Sequence, residues 1–280
     1  MCELGLIVSD LDGTLLGKYS AILPENAAAL RRASEKGVHV AIASGRLAGV
    51  CSRIARDMGL KNCHILGLNG AHVLARPFGE TLSLHPYPDA LRAKCLALLE
   101  ELGCAYNLYT RDGVYTNQPL DEEGRARFRR HFERSGCEVV FAQSPARASE
   151  GAPCMKLMVK RMGEEAAYRR AEETLRAMPE VELTTSGPHN FEAMLCGVGK
   201  AQAVRELAAR LNVPMERVMA CGDYDNDVEM LRCCGLSTAM GNAAQDAKDA
   251  ARFVTRTNEE AGVGWAVNAA LDGAWERLKK

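Results

Sequence analysis

The chain of 280 residues carries almost no net charge, because 35 Lys and Arg stand against 36 Asp and Glu. A balance of −1 excludes bulk electrostatic attraction to nucleic acid or to an anionic membrane surface. No apolar stretch approaches the roughly 18 residues that a membrane-spanning helix needs. The N-terminus runs straight into an apolar segment, without the basic, then apolar, then small-residue order of a secretory signal, so the expectation is a cytoplasmic protein. No internal repeat and no low-complexity tract occurs. No C-x-x-C pair occurs among the 11 cysteines, which lie mostly inside apolar segments (Cys51, Cys95, Cys196, Cys221) and are odd in number. Cys233 and Cys234 are adjacent, which suits neither tetrahedral zinc spacing nor an unstrained bridge. Buried free thiols in a reducing compartment are the reading that fits.

What is present is an ordinary globular composition, 47% hydrophobic and 25% charged, on a chain long enough for two domains or a core with a large insert. The basic run Arg125-Ala126-Arg127-Phe128-Arg129-Arg130 fits a solvated helix face. Apolar Leu4-Gly5-Leu6-Ile7-Val8 predicts a buried strand. A helix over 24–36 ends before Gly37, and a β-branched run over 38–43 predicts a second strand ending at Ser44-Gly45-Arg46. A further helix (47–58) and strand (64–68) lead to Asn69-Gly70. Strands alternating with helices at this spacing predict a parallel, doubly wound sheet.

From about residue 77 the rhythm changes. Short strand-like runs surround helices near 88–102, 121–135 and 164–177, which predicts an antiparallel sheet with helices on one face. After Gly197 the alternation returns, with a helix over 200–211, a strand over 218–221, a helix from about 226 and a strand over 236–240. The expected architecture is therefore α/β: a Rossmann-like core from residues 1–78 and 190–280, with an inserted α+β unit at 79–189.

Four short elements end core strands or open core helices. Asp10-Leu11-Asp12-Gly13-Thr14-Leu15 places two carboxylates at the carboxyl end of the first strand, where open α/β sheets keep their sites. Gly13 lets the backbone turn sharply, and an Asp on such a turn can attack phosphorus. Ser44 can hold a phosphate oxygen with its hydroxyl and nearby backbone N–H groups, although Ser44-Gly45 alone also suits a helix cap. Lys200 opens a helix after Gly197-Val198-Gly199; by itself such a lysine is an ordinary surface charge. Gly222-Asp223-Tyr224-Asp225-Asn226-Asp227 sets three acids within five positions, which repel one another unless a cation sits among them. Mg²⁺ prefers a few carboxylates, water and substrate phosphate oxygens, and Asp10, Asp223 and the Asp12 carbonyl would suffice.

Three other motifs fail. An EF-hand starting at Asp223 needs Gly where Val228 stands and Glu where Cys234 stands. A P-loop ending at Gly199-Lys200 needs Ser or Thr in place of Ala201 and Gly in place of Met194. A dinucleotide fingerprint at Gly197 needs Gly in place of Gln202.

In this order, Asp10-Leu11-Asp12-Gly13-Thr14, Ser44, Lys200 and Gly222–Asp227 resemble the four motifs of the haloacid dehalogenase-like superfamily, and more narrowly of its Cof-type, type IIB phosphatases. Asn69-Gly70, Ala239-Met240-Gly241-Asn242-Ala243 and Gly262-Val263 extend the resemblance over the whole chain. Only about thirty residues separate the first two motifs, while over a hundred lie between Asn69-Gly70 and Lys200, as a large cap after the second motif requires. Ala201 departs from the glycine often found after that lysine.

The resemblance implies a Mg²⁺-dependent phosphatase of small phosphorylated metabolites, with no nucleic-acid or membrane partner. Asp10 would attack the phosphate monoester to give an aspartyl-phosphate, and Asp12 would protonate the leaving alcohol and then activate water. Leu11, Ser44, Gly45, Lys200 and Asn226 would bind the phosphate. Asp10, Asp12 and Asp223 would hold the metal, and Asp227 would orient Lys200 or a metal-bound water. The same resemblance leaves open a sugar phosphomutase or a non-catalytic sensor. Tyr109, Tyr115, Lys156 and His189 are candidate substrate contacts on the insert.

Overall fold

Leu6, Ile7 and Val8 are fully buried and form most of β1 (Leu6–Ser9). A continuous apolar run suits a parallel strand covered by helices on both faces. The chain then alternates through α1 (Pro24–Glu35), β2 (His39–Ala43), α2 (Ala48–Asp57) and β3 (His64–Gly67). Pro24 supplies the fixed φ of a first helical residue, and Ala29, Leu30 and Ala33 face the core. Two short strands follow, β4 (His72–Leu74) and β5 (Thr81–Leu84). The structure, a computed structural model, describes residues 4–275 and Leu278. Parts of the expected core segments, residues 1–3, 276, 277, 279 and 280, lie outside the described residues.

The middle of the chain contains α3 (Asp89–Glu101), β6 (Tyr106–Tyr109), β7 (Gly113–Thr116), α4 (Glu122–Glu133), β8 (Glu138–Phe141), α5 (Pro145–Ala148), β9 (Lys156–Lys160), α6 (Glu165–Arg176), β10 (Val181–Thr184) and β11 (Asn190–Leu195). The return consists of α7 (Lys200–Arg210), β12 (Val218–Gly222), α8 (Val228–Cys233), β13 (Leu236–Ala239), α9 (Gln245–Ala250), β14 (Phe253–Val254) and α10 (Gly262–Leu271).

The first sheet has the order β14-β13-β12-β1-β2-β3-β4-β5. From β14 to β3 the pairing is parallel throughout, as the alternating pattern requires. The chain leaves β1 toward β2 on one side and returns to β12 on the other. The crevice outside the carboxyl ends of β1 and β12 is thus the point where strand order reverses.

The second sheet has the order β10-β11-β9-β6-β7-β8. It departs from the expected antiparallel pattern at its edge, where β7 and β8 pair in parallel. The reason is the intervening helix α4, which serves as a crossover and brings the chain back in the same direction. Two strands also fall on unexpected sides. β5, within the expected 79–189 insert, pairs with β4 in the first sheet, whereas β11, placed at the start of the returning core segment, lies inside the second sheet.

Each unit has an apolar core. The second sheet packs Tyr106, Leu108, Leu157, Val159, Phe191 and Ala193 against Leu96, Leu99 and Leu175 of its helices. A further cluster joins the units, with Leu47, Val50 and Leu68 from the first meeting Tyr109, Val114, Phe132, Met155 and Met194 from the second. Ten described cysteines are free thiols, eight of them buried. Among the described residues no helix is long and apolar enough to cross a membrane.

Candidate active site

All four sequence elements converge on the crevice at the ends of β1 and β12. The Asp10 N–H extends the β1 ladder by donating to the Cys221 carbonyl at 3.0 Å. The chain then turns back, and the Leu16 N–H donates to the Leu11 carbonyl at 2.9 Å. Gly13 sits at φ +79°, where a Cβ would lie 2.3 Å from Asp223 Oδ2. Its glycine therefore serves both the turn and the close approach of the opposite acidic loop.

Lys200, the first residue of α7, is buried, and its Nζ donates to Asp10 Oδ1 and Asp227 Oδ1 at 2.6 Å each. The second oxygen of Asp227 accepts from the Asp223 N–H at 2.9 Å and the Tyr224 N–H at 3.3 Å. Asp223 Oδ1 accepts from the Thr14 hydroxyl at 2.8 Å. Asp225 points elsewhere, accepting from the Thr184 hydroxyl at 3.2 Å. The lysine thus ties two of the four elements to β1, and the third acid of the cluster is removed from it.

Asp10, Asp223 and Asp227 each bring a carboxylate oxygen within 4.8 Å of one another, a spacing that can hold a cation. Asp227 already accepts three hydrogen bonds, whereas Asp10 Oδ2 and Asp223 Oδ2 accept none among the described residues. The donor set is all oxygen and anionic, the chemistry of a hard divalent ion. Burial pushes Asp10 well above the usual carboxylate range; Lys200 opposes the shift, while Asp227, Asp223 and Asp12 reinforce it. Burial and Asp227 likewise raise Asp223 to about 6. Burial would lower Lys200, yet Asp10 and Asp227 outweigh it and hold its proton more tightly than usual. One buried ammonium does not neutralise this group of acids, so an added cation would favour their charged forms.

The Asp12 carboxylate stands apart from the cluster and is gripped by Arg46, whose Nε donates to Oδ2 at 2.7 Å and whose Nη2 donates to Oδ1. Ser44 is buried beyond β2, and its carbonyl accepts from the Asn69 N–H at 2.9 Å. It is not the cap of α2, because Leu47 occupies that position. Asn226 Nδ2 donates to Asn69 Oδ1 at 3.2 Å.

Above these loops lies the second sheet, whose alternation sends Lys156, Met158 and Lys160 of β9, Asn107 and Tyr109 of β6, and Glu192 of β11 toward the first unit. Lys156 and Glu192 are fully buried and 3.2 Å apart. Lys156 Nζ donates to the Gly45 carbonyl at 2.6 Å, and Glu192 accepts from Asn69 Nδ2 and the Ser186 hydroxyl at 2.7 Å each. A hydrogen-bonded chain therefore runs from Asn226 through Asn69, Glu192 and Lys156 to the loop after β2. Burial would raise Glu192, but Lys156, together with hydrogen bonds from Ser186, Asn69 and Lys156, holds it below its usual value.

The two units enclose a cavity of about 330 Å³ lined by Asp10, Asp12, Ser44, Gly45, Asp223 and Asn226 on one side and by Asn107, Tyr109, Phe128, Phe132, Met158 and Lys160 on the other. Of the candidates on the insert, Tyr109 lines it and Lys156 lies beside it, whereas Tyr115 packs into the second core and His189 is exposed. Sequence reasoning did not single out the roles of Arg46, Thr14, Asn69, Glu192, Phe128 and Phe132. A charged residue inside an otherwise apolar strand, as at Glu192 and Lys156, was the available signal.

A family model described as haloacid dehalogenase-like hydrolase matches residues 7–267. Phosphatase YwpJ of Bacillus subtilis (strain 168) is 32% identical, over 92% of this chain and 96% of that protein. A haloacid dehalogenase-like hydrolase structure from B. subtilis superposes with a TM-score of 0.84 at 28% identity, covering 95% of this chain and 99% of that one. The structure of a subclass IIB sugar phosphatase, BT4131, shares the fold at a TM-score of 0.78 and 24% identity, over 94% of this chain and 98% of that one.

Proposed function

The chain belongs to the haloacid dehalogenase-like hydrolases, with the fold of subclass IIB, and from that premise we propose that it is a Mg²⁺-dependent phosphatase of small organic phosphate monoesters. The observation that carries this reading is the contact of buried Lys200 with both Asp10 and Asp227 beside Asp223, where Asp10 and Asp223 line the cavity between the two sheets. The second sheet and its helices would act as the cap that encloses the substrate.

In this reading the phosphate enters among Ser44, Gly45, Asn226 and Lys200, where the backbone beside Leu11 adds N–H donors. Lys200 holds the Asp10 carboxylate in place, and one of its oxygens attacks phosphorus as the bond to the alcohol oxygen breaks, giving an aspartyl-phosphate. Asp12, once it has left its ion pair with Arg46 and taken up a proton, gives that proton to the departing alcohol oxygen and afterwards takes one from the water that cleaves the acyl phosphate. Asp10, Asp223 and the Asp12 carbonyl would hold Mg²⁺, which supplies charge neutralisation to the phosphate oxygens. Asp227 fixes Lys200 and, through its second oxygen, the Asp223 loop. Positioning and charge stabilisation of this kind account for most of phosphoryl-transfer catalysis. We further propose a cytoplasmic location, where the buried thiols remain reduced.

The test is release of inorganic phosphate from a panel of phosphorylated metabolites with Mg²⁺ present. Release without any bisphosphate activator is the expected result. Phosphate moved within a sugar without release would turn the reading to a mutase, and no turnover of any member would overturn it.

A further inference from the structure

Of Arg46 and Lys160, which line the cavity, and Lys200 and Lys156 just outside it, all but one are committed. Arg46 grips Asp12. Just outside the lining, Lys200 is held between Asp10 and Asp227, and Lys156 between Glu192 and the Gly45 carbonyl. Lys160 is the exception. It sits on the cavity side of β9, two residues from Met158 and four from Lys156, and is only partly exposed. Its ammonium makes no hydrogen bond or ion pair among the described residues. Glu192, the acid on the neighbouring strand, is already engaged by Lys156, Asn69 and Ser186. The Asn107 amide is engaged as well, with Gln118 and Tyr109. A partly desolvated cation in a pocket gains strongly from an anion of matching position.

Resting on the phosphatase reading, we propose that the preferred substrate carries a second anionic group on its alcohol portion, a carboxylate or a second phosphate, and that Lys160 binds it while the first phosphate lies at Asp10. The walls between the two ends support this assignment. Tyr109, Phe128, Phe132 and Met158 offer apolar surface for the body of the molecule. A molecule without the second charge leaves Lys160 unmatched, which is the asymmetry that makes such sites selective.

The experiment compares phenyl phosphate, 4-carboxyphenyl phosphate and 4-(phosphonomethyl)phenyl phosphate with wild-type protein and the K160M, K160Q and K160E variants, with Mg²⁺ present. The quantity read is the ratio of kcat/KM for each charged-tail substrate to that for phenyl phosphate. Because each ratio is compared between wild type and variant, the intrinsic reactivity of the leaving groups cancels. The ratio should fall about tenfold or more in K160M and K160Q, and further in K160E, for at least one tail. A fall confined to the carboxylate or to the phosphonate identifies the anion that Lys160 receives. Ratios unchanged in all three variants overturn the assignment of Lys160 and leave the phosphatase reading standing. Wild-type protein that releases phosphate from none of the three substrates, nor from the metabolite panel above, overturns both.

Discussion

The buried pair of Lys156 and Glu192 gives the most quantitative prediction. Replacing Lys156 with Met keeps the length of the side chain and removes its charge. The Glu192 carboxylate would then remain buried, holding the hydrogen bonds from Asn69 and Ser186 at 2.7 Å each but with no ion-pair partner and only the more distant Lys160 to offset its charge, and the Gly45 carbonyl would lose its donor. Breaking a buried ion pair from one side costs about 3–5 kcal/mol, because the surviving charge is left uncompensated. For a chain of this size that corresponds to a fall in Tm of about 10 °C. Thermal unfolding of wild type, K156M and the double variant K156M/E192Q reads the cost directly. The double variant, with neither member of the pair charged, should recover more than half of the loss. A pH arm checks the cause. In wild type Glu192 is held below its usual value, so it contributes stability above that value and loses it as pH falls through the folded one. Without Lys156, burial prevails and raises the folded value, so the penalty is present at neutral pH and disappears as pH falls toward about 4. The gap between wild type and K156M should therefore be widest near neutrality and narrow in acid. A gap under about 1 kcal/mol, or one constant from neutral pH to pH 5, refutes the argument.

Three further outcomes follow from the same geometry. With Asp10 as the proposed nucleophile, Asp10→Asn should lower phosphate release by at least about a thousandfold, measured on protein free of wild-type contamination. Gly13→Ala places a methyl at φ +79° and 2.3 Å from Asp223 Oδ2, so it should cost about 1–3 kcal/mol in stability; because Asp223 must move, kcat/KM should fall more than tenfold, and retention of full activity would contradict the close approach. Chelation should abolish turnover and added Mg²⁺ restore it. In the absence of substrate, Mg²⁺ should raise Tm for wild type but not for Asp223→Asn, since an ion stabilises only a state that binds it.

Much of the molecule was legible before its structure. The apolar run Leu6-Ile7-Val8 and the alternation up to Asn69 allow little besides a parallel sheet, because only strands covered on both faces are apolar at every position. Asp10, Ser44, Lys200 and Asp223 each follow or precede such an element, so their convergence was implied by the rule that sites gather at strand carboxyl ends. The parallel pairing of β7 with β8 was hidden, since the runs that form them are too short to reveal direction. The placement of β5 and β11 was hidden for a related reason, because a four- to six-residue strand states which face is apolar and not which sheet it joins.

The cap side of the site shows the limit most clearly. Lys156 and Glu192 are separated by 36 positions and Glu192 and Asn69 by 123, and no local pattern links residues at such distances. The sequence by itself determined the residues of the floor, because the paired carboxylates, the lysine and the acidic loop stand at the ends of specific elements. Only the tertiary structure decided which acids stand together, with Asp227 drawn in and Asp12 and Asp225 turned away, and which cations remain uncommitted. Those properties depend on how two sheets face each other across a cavity, and that relation is set by packing between units rather than by the propensity of either.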